Sequence, residues 1–286
     1  MAKPLATMRR KRLGLELKRV REEKELDREA VSEILQTDLS RISRIETGKA
    51  VLSKLELSTW LDACGITDQR LRAGLTELNA QGRKKGWWQK RGDLIPPNLQ
   101  EAIDLEQTAS VIFEHRQAFI PGLLQTPDYA AAMIRAFPLV GNATVDEAVQ
   151  VRMTRQEVLS RPNAPQAFWI LDEAALHREV GGPEVMAGQL QKLLDVRNPP
   201  HLNIQVLPFR RGPYHCISSS FHLFTYKEPS AMDLVLVEYE RGRLFLEEDS
   251  DVEPFRRSSD RLRDQALSTE DSRELISSIM RSFERN

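Results

Sequence analysis

Apolar residues recur every three or four positions through the first eighty residues, and that spacing predicts helices. Leu13, Leu17 and Val20 form one stripe across Arg9 to Lys24. Ala30, Val31 and Ile34 form another across Arg28 to Leu35, with Asp27 in front as N-cap. Gln36 and Thr37 make a tight turn, Asp38 caps the next helix, and Ile42 and Ile45 share its buried face. Gly48 stops that helix, because the residue past a helix end often needs a positive φ. Leu57, Trp60 and Leu61 mark a fourth helix over Ser53 to Ala63, and Leu71, Leu75 and Leu78 a fifth over Asp68 to Ala80. The pattern therefore predicts an all-α five-helix domain of helix-turn-helix type over residues 1–80.

Residues 81–98 interrupt the periodicity. Gly82, Gly86, Gly92 and the Pro96–Pro97 pair break helix and strand alike, so the stretch reads as a basic, tryptophan-containing linker. Trp87 and Trp88 leave two readings open: a grip on a DNA backbone, or docking with the rings buried. The cost of leaving two indoles in water favours docking. From residue 99 onward the pattern is mixed. Helices are predicted over Gln100 to Arg116, after the N-cap Thr126 with Pro127 at the first position, and over Val145 to Ser160. Three more follow over Pro183 to Val196, Ser250 to Ala266 and Thr269 to Phe283. Ser250 and Glu253 read as a capping box. Strands are predicted over Ala167 to Leu171, Asn203 to Phe209, Ser220 to Tyr226, Leu234 to Tyr239 and Arg243 to Glu247. Helices, then mostly strands, then helices predict a mixed α/β (α+β) domain over residues 99–286.

Charge sharpens this division. The chain is nearly balanced, with 41 Lys and Arg against 42 Asp and Glu. The basic excess lies in the first 92 residues and the acidic excess in the rest. Ser40, Arg41 and Arg44 fall opposite Ile42 and Ile45, where a groove-entering helix presents donors. A basic lobe around such a helix is what a phosphate-binding surface requires. The Arg9–Arg10–Lys11–Arg12 run is read either as a solvated charged start or as a phosphate contact.

Other classes are not favoured. No stretch approaches the roughly 20 apolar residues of a membrane span, and no secretory leader is visible at the N-terminus. Cys64 and Cys216 are far apart and read as reduced, so the chain reads as cytoplasmic. No metal-ligand, phosphate-loop or catalytic pattern is present, so no enzyme activity, metal or cofactor is expected. His215 and Cys216 are sequence neighbours that point apart on an extended segment. Gly181–Gly182 before a helix reads as a plain glycine-rich turn in preference to an anion site at the helix N-terminus.

Residues 9–80 resemble the DNA-binding domain of the Cro/phage-repressor (XRE) family, through Ser43-Arg-Ile-Glu-Thr-Gly48 at the end of the recognition helix. The resemblance implies an ion pair between Arg21 and Glu46. It implies base reading by Leu39, Ser40 and Arg44, and phosphate contacts from Arg28, Arg41 and Lys49. One departure is Gln36, where the family commonly has glycine; a left-handed non-glycine residue there carries roughly 1 kcal/mol of strain. A single small helix-turn-helix covers little DNA, so a homodimer on half-sites of double-stranded DNA is expected.

The rest of the chain resembles a second family. Pro121-Gly-Leu-Leu-Gln-Thr-Pro-Asp-Tyr-Ala130, Arg152-x-x-Arg-Gln156, Leu171-Asp-Glu-Ala-Ala-Leu-His-Arg178, Gly181-Gly-Pro-Glu-Val-Met186 with Gln189-Leu190, and Gln205-Val-Leu-Pro-Phe209 carry the likeness. They resemble the C-terminal domain of unknown function of Scr-type and WhiJ-type antitoxin-like regulators of actinobacteria. That resemblance implies a transcription regulator paired with a small acidic protein partner. Arg152, Arg155 and Gln156 share a helix face, and Glu106, Gln125 and Tyr129 lie in neighbouring motif segments. Together they read as a structural ion-pair network, with a pocket for an unknown small-molecule ligand or a partner contact as the functional alternative. Two rival functions stay open: an interaction protein whose DNA binding is secondary, and an enzyme fused to a DNA-binding module.

Overall fold

The computed structural model describes residues 8–83, 86–90, 94–137, 143–196, 201–227, 233–239 and 242–285. The chain divides into two compact units. The first takes in Met1–Gly92, Leu99–Thr108 and Tyr226–Met232; the second takes in Asp93–Asn98, Ala109–Thr225 and Asp233–Asn286.

The first unit is helical. Its opening helices are α1 (Met8–Glu23), α2 (Arg28–Ile34), α3 (Leu39–Glu46), α4 (Lys54–Ala63) and α5 (Gln69–Arg83). The caps expected at Asp27 and Asp38 form: Asp27 accepts from the Ala30 amide and Asp38 from the Arg41 amide. Ser53 and Glu56, where no cap was expected, close a reciprocal capping box. Leu13, Leu17, Val20, Val31, Ile42, Ile45, Leu57, Trp60 and Leu61 form one buried core. Ile34 departs from expectation and is 44% exposed. A seven-residue helix makes about two turns, and Val31 is its buried position.

Two glycines fix the approach of α1 to α3. A Cβ at Gly48 would lie 2.6 Å from the Lys11 nitrogen, and its φ is +69°. A Cβ at Gly14 would lie 2.4 Å from the carbonyl oxygens of Ile45 and Glu46. Neither position has room for a side chain.

Gln36 sits in the turn between α2 and α3 at φ 50°, in the left-handed region. Glycine there relieves a Cβ clash worth roughly 1 kcal/mol but loosens the unfolded chain. Gln36→Gly is therefore expected to stabilise the protein by less than about 1 kcal/mol. A lowered Tm would show instead that the Gln36 side chain makes contacts that outweigh the strain.

Two further helices are α6 (Trp87–Lys90) and α7 (Pro97–Thr108). Trp88 is buried, with the Arg9 guanidinium 5.7 Å from its ring centre. The basic run at the start of α1 is engaged within this unit. Arg9 pairs with Asp104 at 3.1 Å, Lys11 with Glu101 at 3.4 Å, and Arg10 Nε donates to the Gly82 carbonyl at 2.8 Å. The Arg12 guanidinium lies 3.4 Å over the Tyr226 ring. Of the two readings of that run, neither a solvated start nor a phosphate contact describes these partners.

The second unit is built on a six-stranded sheet of order β3-β2-β1-β4-β5-β6. The strands are β1 (Val111–Arg116), β2 (Gln166–Asp172), β3 (Leu202–Leu207), β4 (Phe221–Thr225), β5 (Leu234–Tyr239) and β6 (Gly242–Leu246). β1, β2 and β3 run parallel, and β4, β5 and β6 add on antiparallel. α8 (Pro127–Ala136) and α9 (Val145–Gln156) lie between β1 and β2; α10 (Glu173–His177) and α11 (Pro183–Asp195) lie between β2 and β3. α12 (Asp249–Gln265) and α13 (Thr269–Phe283) follow the sheet. Phe113, Ile170, Leu207, Phe221, Leu223 and Val235 pack on one sheet face with Val252 and Leu262 of α12.

Two expectations fail here. The helix predicted over Gln100 to Arg116 ends at Thr108, and the remainder becomes β1, a central strand. Ile112, Phe113, Glu114 and His115 are buried in succession, as in a strand covered on both faces, and β1 is paired on both sides. The capping box of Ser250 and Glu253 does not form. α12 starts at Asp249, Glu248 caps it without a side-chain bond, and Glu253 turns to Arg256 and Arg257.

Candidate functional site

The recognition helix α3 is anchored from beneath by a buried carboxylate. Glu46 Oε1 accepts from Arg21 Nε at 2.6 Å, and Glu46 Oε2 accepts from Arg28 Nε at 2.8 Å. The Glu46 side chain is 1% exposed. Arg21 also donates to the Leu26 carbonyl at 2.7 Å, which ties α1 to the start of α2. Burial by itself would lower the Arg21 pKa, but Glu46 outweighs it and raises the guanidinium above its ordinary value. The implied Arg21–Glu46 pair is present. Arg28, implied as a phosphate contact, is drawn into the same pair from the first residue of α2, with its side chain 43% exposed.

The outer face of α3 carries Leu39, Ser40 and Arg44, all exposed. The Ser40 hydroxyl and the Arg41 amide both donate to Asp38 Oδ1. Those two bonds, the hydroxyl first, lower the Asp38 pKa. The Arg44 guanidinium is 55% exposed and stands 3.8 Å from Asp38. Its Nε donates to the Ser40 carbonyl at 3.3 Å. Lys49 is exposed just past Gly48. Arg41 is placed differently from these. It donates to Glu56 at 2.6 Å and to the Val51 carbonyl at 3.3 Å, joining α3 to the cap of α4. Burial opposes ionisation of Glu56, yet the Ser53 amide and the Arg41 guanidinium together hold its carboxyl below the usual range. Beside α3 lies an open concavity of about 730 Å³, lined in part by Lys18, Arg28, Leu39, Ser40 and Ser43.

In the second unit, Gln125, Tyr129, Arg152 and Gln156 come together around the turn at Gly122–Leu124. Arg152 Nη1 donates to Gln125 Oε1. Gln125 Nε2 donates to the Ile120 carbonyl at 2.7 Å, and the Tyr129 hydroxyl accepts from the Ile120 amide at 3.2 Å. Gln156 Nε2 donates to the carbonyls of Gly122 and Gln125. Arg155 lies against Gly122, where a Cβ would stand 3.4 Å from its Nη1. Glu106 belongs to α7 in the first unit, where it is buried.

Two residues not assigned to this cluster from the sequence also join the network. Lys192 donates to the Gln125 carbonyl at 2.7 Å and to Gln156 Oε1 at 2.8 Å. Gln189 donates to the Leu124 carbonyl and accepts from the Thr126 amide. Their spacing of three on α11 was the available signal. Burial, then the neighbouring Arg155, lowers the Arg152 pKa to about 10. These bonds satisfy the carbonyls of an irregular, buried loop, which is the work of a structural polar network.

A second polar group spans the middle of the sheet. Glu114 and Arg116 of β1, His222 of β4 and Glu238 of β5 are interlinked, and Trp169 Nε1 donates to Glu114 at 3.1 Å. Arg243 of β6 pairs with Glu238 at 2.7 Å. Burial would raise the Glu114 pKa, but His222 and then Arg116 outweigh it and lower it. Burial likewise opposes charge on Glu238 and on Arg116, but Arg116 outweighs it for Glu238, and Glu114 and then Glu238 outweigh it for Arg116. Glu114 and Arg116 lay within the segment predicted as helix, and no local pattern pointed to their facing His222.

Among the described residues, no cluster of three or more His, Cys, Asp or Glu is placed to hold a metal ion. Nor is any helix there long and apolar enough to cross a membrane.

Residues 12–75 match the family model described as a helix-turn-helix domain. Residues 99–278 match the model described as a domain of unknown function (DUF5753). No curated protein and no solved structure matches the chain. The helix-turn-helix match and the geometry of α2 and α3 identify the first unit as a DNA-binding domain of a regulator. The second match covers more than half of the chain, which therefore belongs to the DUF5753 family and joins that domain to a DNA-binding helix-turn-helix.

Proposed function

We propose that the protein is a sequence-specific transcriptional regulator of the Cro/phage-repressor (XRE) type that binds double-stranded DNA as a homodimer. The observation that carries this reading is α3 itself. Ile42 and Ile45 are buried, Glu46 is clamped by Arg21 and Arg28, and Leu39, Ser40 and Arg44 are left on the outer face. In this reading those three side chains meet base edges, and Arg28 and Lys49 meet phosphates. Arg41 contributes chiefly by bracing α3 against α4. The DUF5753 domain dimerises and receives the signal, from a small molecule or from a small acidic protein partner. The reading assigns no catalytic step to either unit.

The test begins with selection of a genomic site by full-length protein at moderate salt. On that site, Arg44→Ala is expected to lose about 1–3 kcal/mol of binding and to relax base preference at one position. Lys49→Ala is expected to weaken all sequences alike and to flatten the salt dependence. Equal losses on every sequence for Arg44→Ala would remove it from the base-reading set. Retention of DNA binding only as weak, salt-sensitive association would favour a protein-binding, antitoxin-like main role.

A further inference from the structure

We propose that the outer edge of β6 pairs with β6 of a second copy, joining two six-stranded sheets antiparallel about a two-fold axis through Phe245. This names the surface for the homodimer of the reading above and rests on it.

The two edges of the sheet are treated differently. At β3 the edge is closed by the α12–α13 connection. Val206 donates to the Ser272 hydroxyl at 2.9 Å, its carbonyl accepts from the Leu267 amide at 2.9 Å, and Gln205 Nε2 donates to the Leu267 carbonyl at 2.8 Å. β6 is the last strand at the other side, and none of its five residues is buried. Leu244 is 50% exposed, and Tyr239 beside it on β5 is 61% exposed. Edge strands of soluble proteins are ordinarily guarded by charged side chains, proline or a bulge. The one charged residue of β6, Arg243, is drawn to Glu238 of β5, the strand has no lysine or proline, and its pairing with β5 runs without a break from Gly242 to Leu246.

The sequence of the edge selects both the occupant and the register. Residues 243–247 read Arg-Leu-Phe-Leu-Glu. In an antiparallel pair of identical strands centred on Phe245, Leu244 faces Leu246 of the other copy and Phe245 faces Phe245. Apolar residues then meet apolar residues and each side chain stays on its own face, while Arg243 keeps Glu238 of its own chain. Centring on Leu244 instead sets Arg243 against Phe245, and centring on Leu246 sets Leu244 against Glu248. Of these three, only the Phe245 centre sets apolar against apolar at every position from 244 to 246, and self-complementarity about a two-fold is what an isologous dimer needs.

The experiment uses full-length protein. Sedimentation gives the dimer constant of the wild type and of Leu244→Lys, and circular dichroism checks that both are folded. Leu244 is half exposed in the single chain, so the lysine is expected to leave the fold intact and to weaken dimerisation by roughly tenfold or more. Cysteine pairing then reads the register. Phe245→Cys should form a covalent dimer on oxidation. Leu244→Cys and Leu246→Cys should each fail alone and cross-link when mixed, because like positions lie beyond disulfide reach. The wild type, with Cys64 and Cys216, is the control. A dimer that is untouched by Leu244→Lys and gives no Phe245→Cys cross-link overturns the β6 interface and leaves the dimer reading standing. A wild type that is monomeric where it binds its DNA site overturns both.

Discussion

Glu46→Ala is expected to destabilise the first unit by about 3–5 kcal/mol, the cost of leaving a buried charge without its partner. Glu46 is the shared acceptor of Arg21 and Arg28, and the Arg21 side chain is 7% exposed. Alanine strands the Arg21 guanidinium in a site it cannot leave cheaply, and it unties Arg28 from the base of α3. The loss should appear as a lower denaturation midpoint of that unit and as weakened binding to all DNA sequences. A double replacement, Arg21→Met with Glu46→Leu, removes both charges and should recover most of the stability. It should not recover DNA affinity fully, since Arg28 remains unanchored. A loss below about 1 kcal/mol for Glu46→Ala would show that the pair does not organise the fold.

The second large effect is a pH dependence in the second unit. His115 on β1 is fully buried, and burial lowers its pKa from 6.5 to about 4. Its Nδ1 faces the Ser219 carbonyl at 3.1 Å, which offsets burial only in part. Its Nε2 has no hydrogen-bond partner among the described residues. The folded protein therefore keeps this ring neutral where the unfolded chain takes up a proton. Between pH about 6.5 and about 4 the unfolded state binds more protons, so stability falls as pH falls. The full loss is about 3 kcal/mol, from roughly 1.4 kcal/mol for each unit of separation. His115→Phe should remove that slope, judged by subtracting its stability from that of the wild type at each pH. A difference that stays constant from pH 7 to pH 4 would rule out His115 as its source.

The legible and illegible parts of this molecule divide on physical grounds. Caps and apolar stripes are local, so Asp27, Asp38, the stripe of Leu13, Leu17 and Val20 and that of Leu57, Trp60 and Leu61 marked α1 to α4 within a residue or two. β1 was misread because Ile103, Ala109, Ile112 and Phe113 also fit helical spacing, and because Glu114, His115 and Arg116 look like a solvated helix end. Their burial depends on His222 and Glu238, more than a hundred residues away, and no local pattern reports that. The Arg9–Arg12 run was misjudged for the same reason: Asp104, Glu101 and Tyr226 are its partners. Gln125, Arg152 and Gln156 were legible as a group, but only the structure shows them holding the turn at Gly122.

Helix α7 has a consequence for how such chains could be inherited. The DUF5753 match begins at residue 99, inside α7, while Glu101 and Asp104 of that helix answer to Lys11 and Arg9 of α1. The border between the two homologous segments is thus not a border between self-sufficient parts. A recombination event at that border would bring in a first helix that need not carry cations for the two acids. Recipient and donor would have to match at these positions already, which favours descent of both segments as one linked pair.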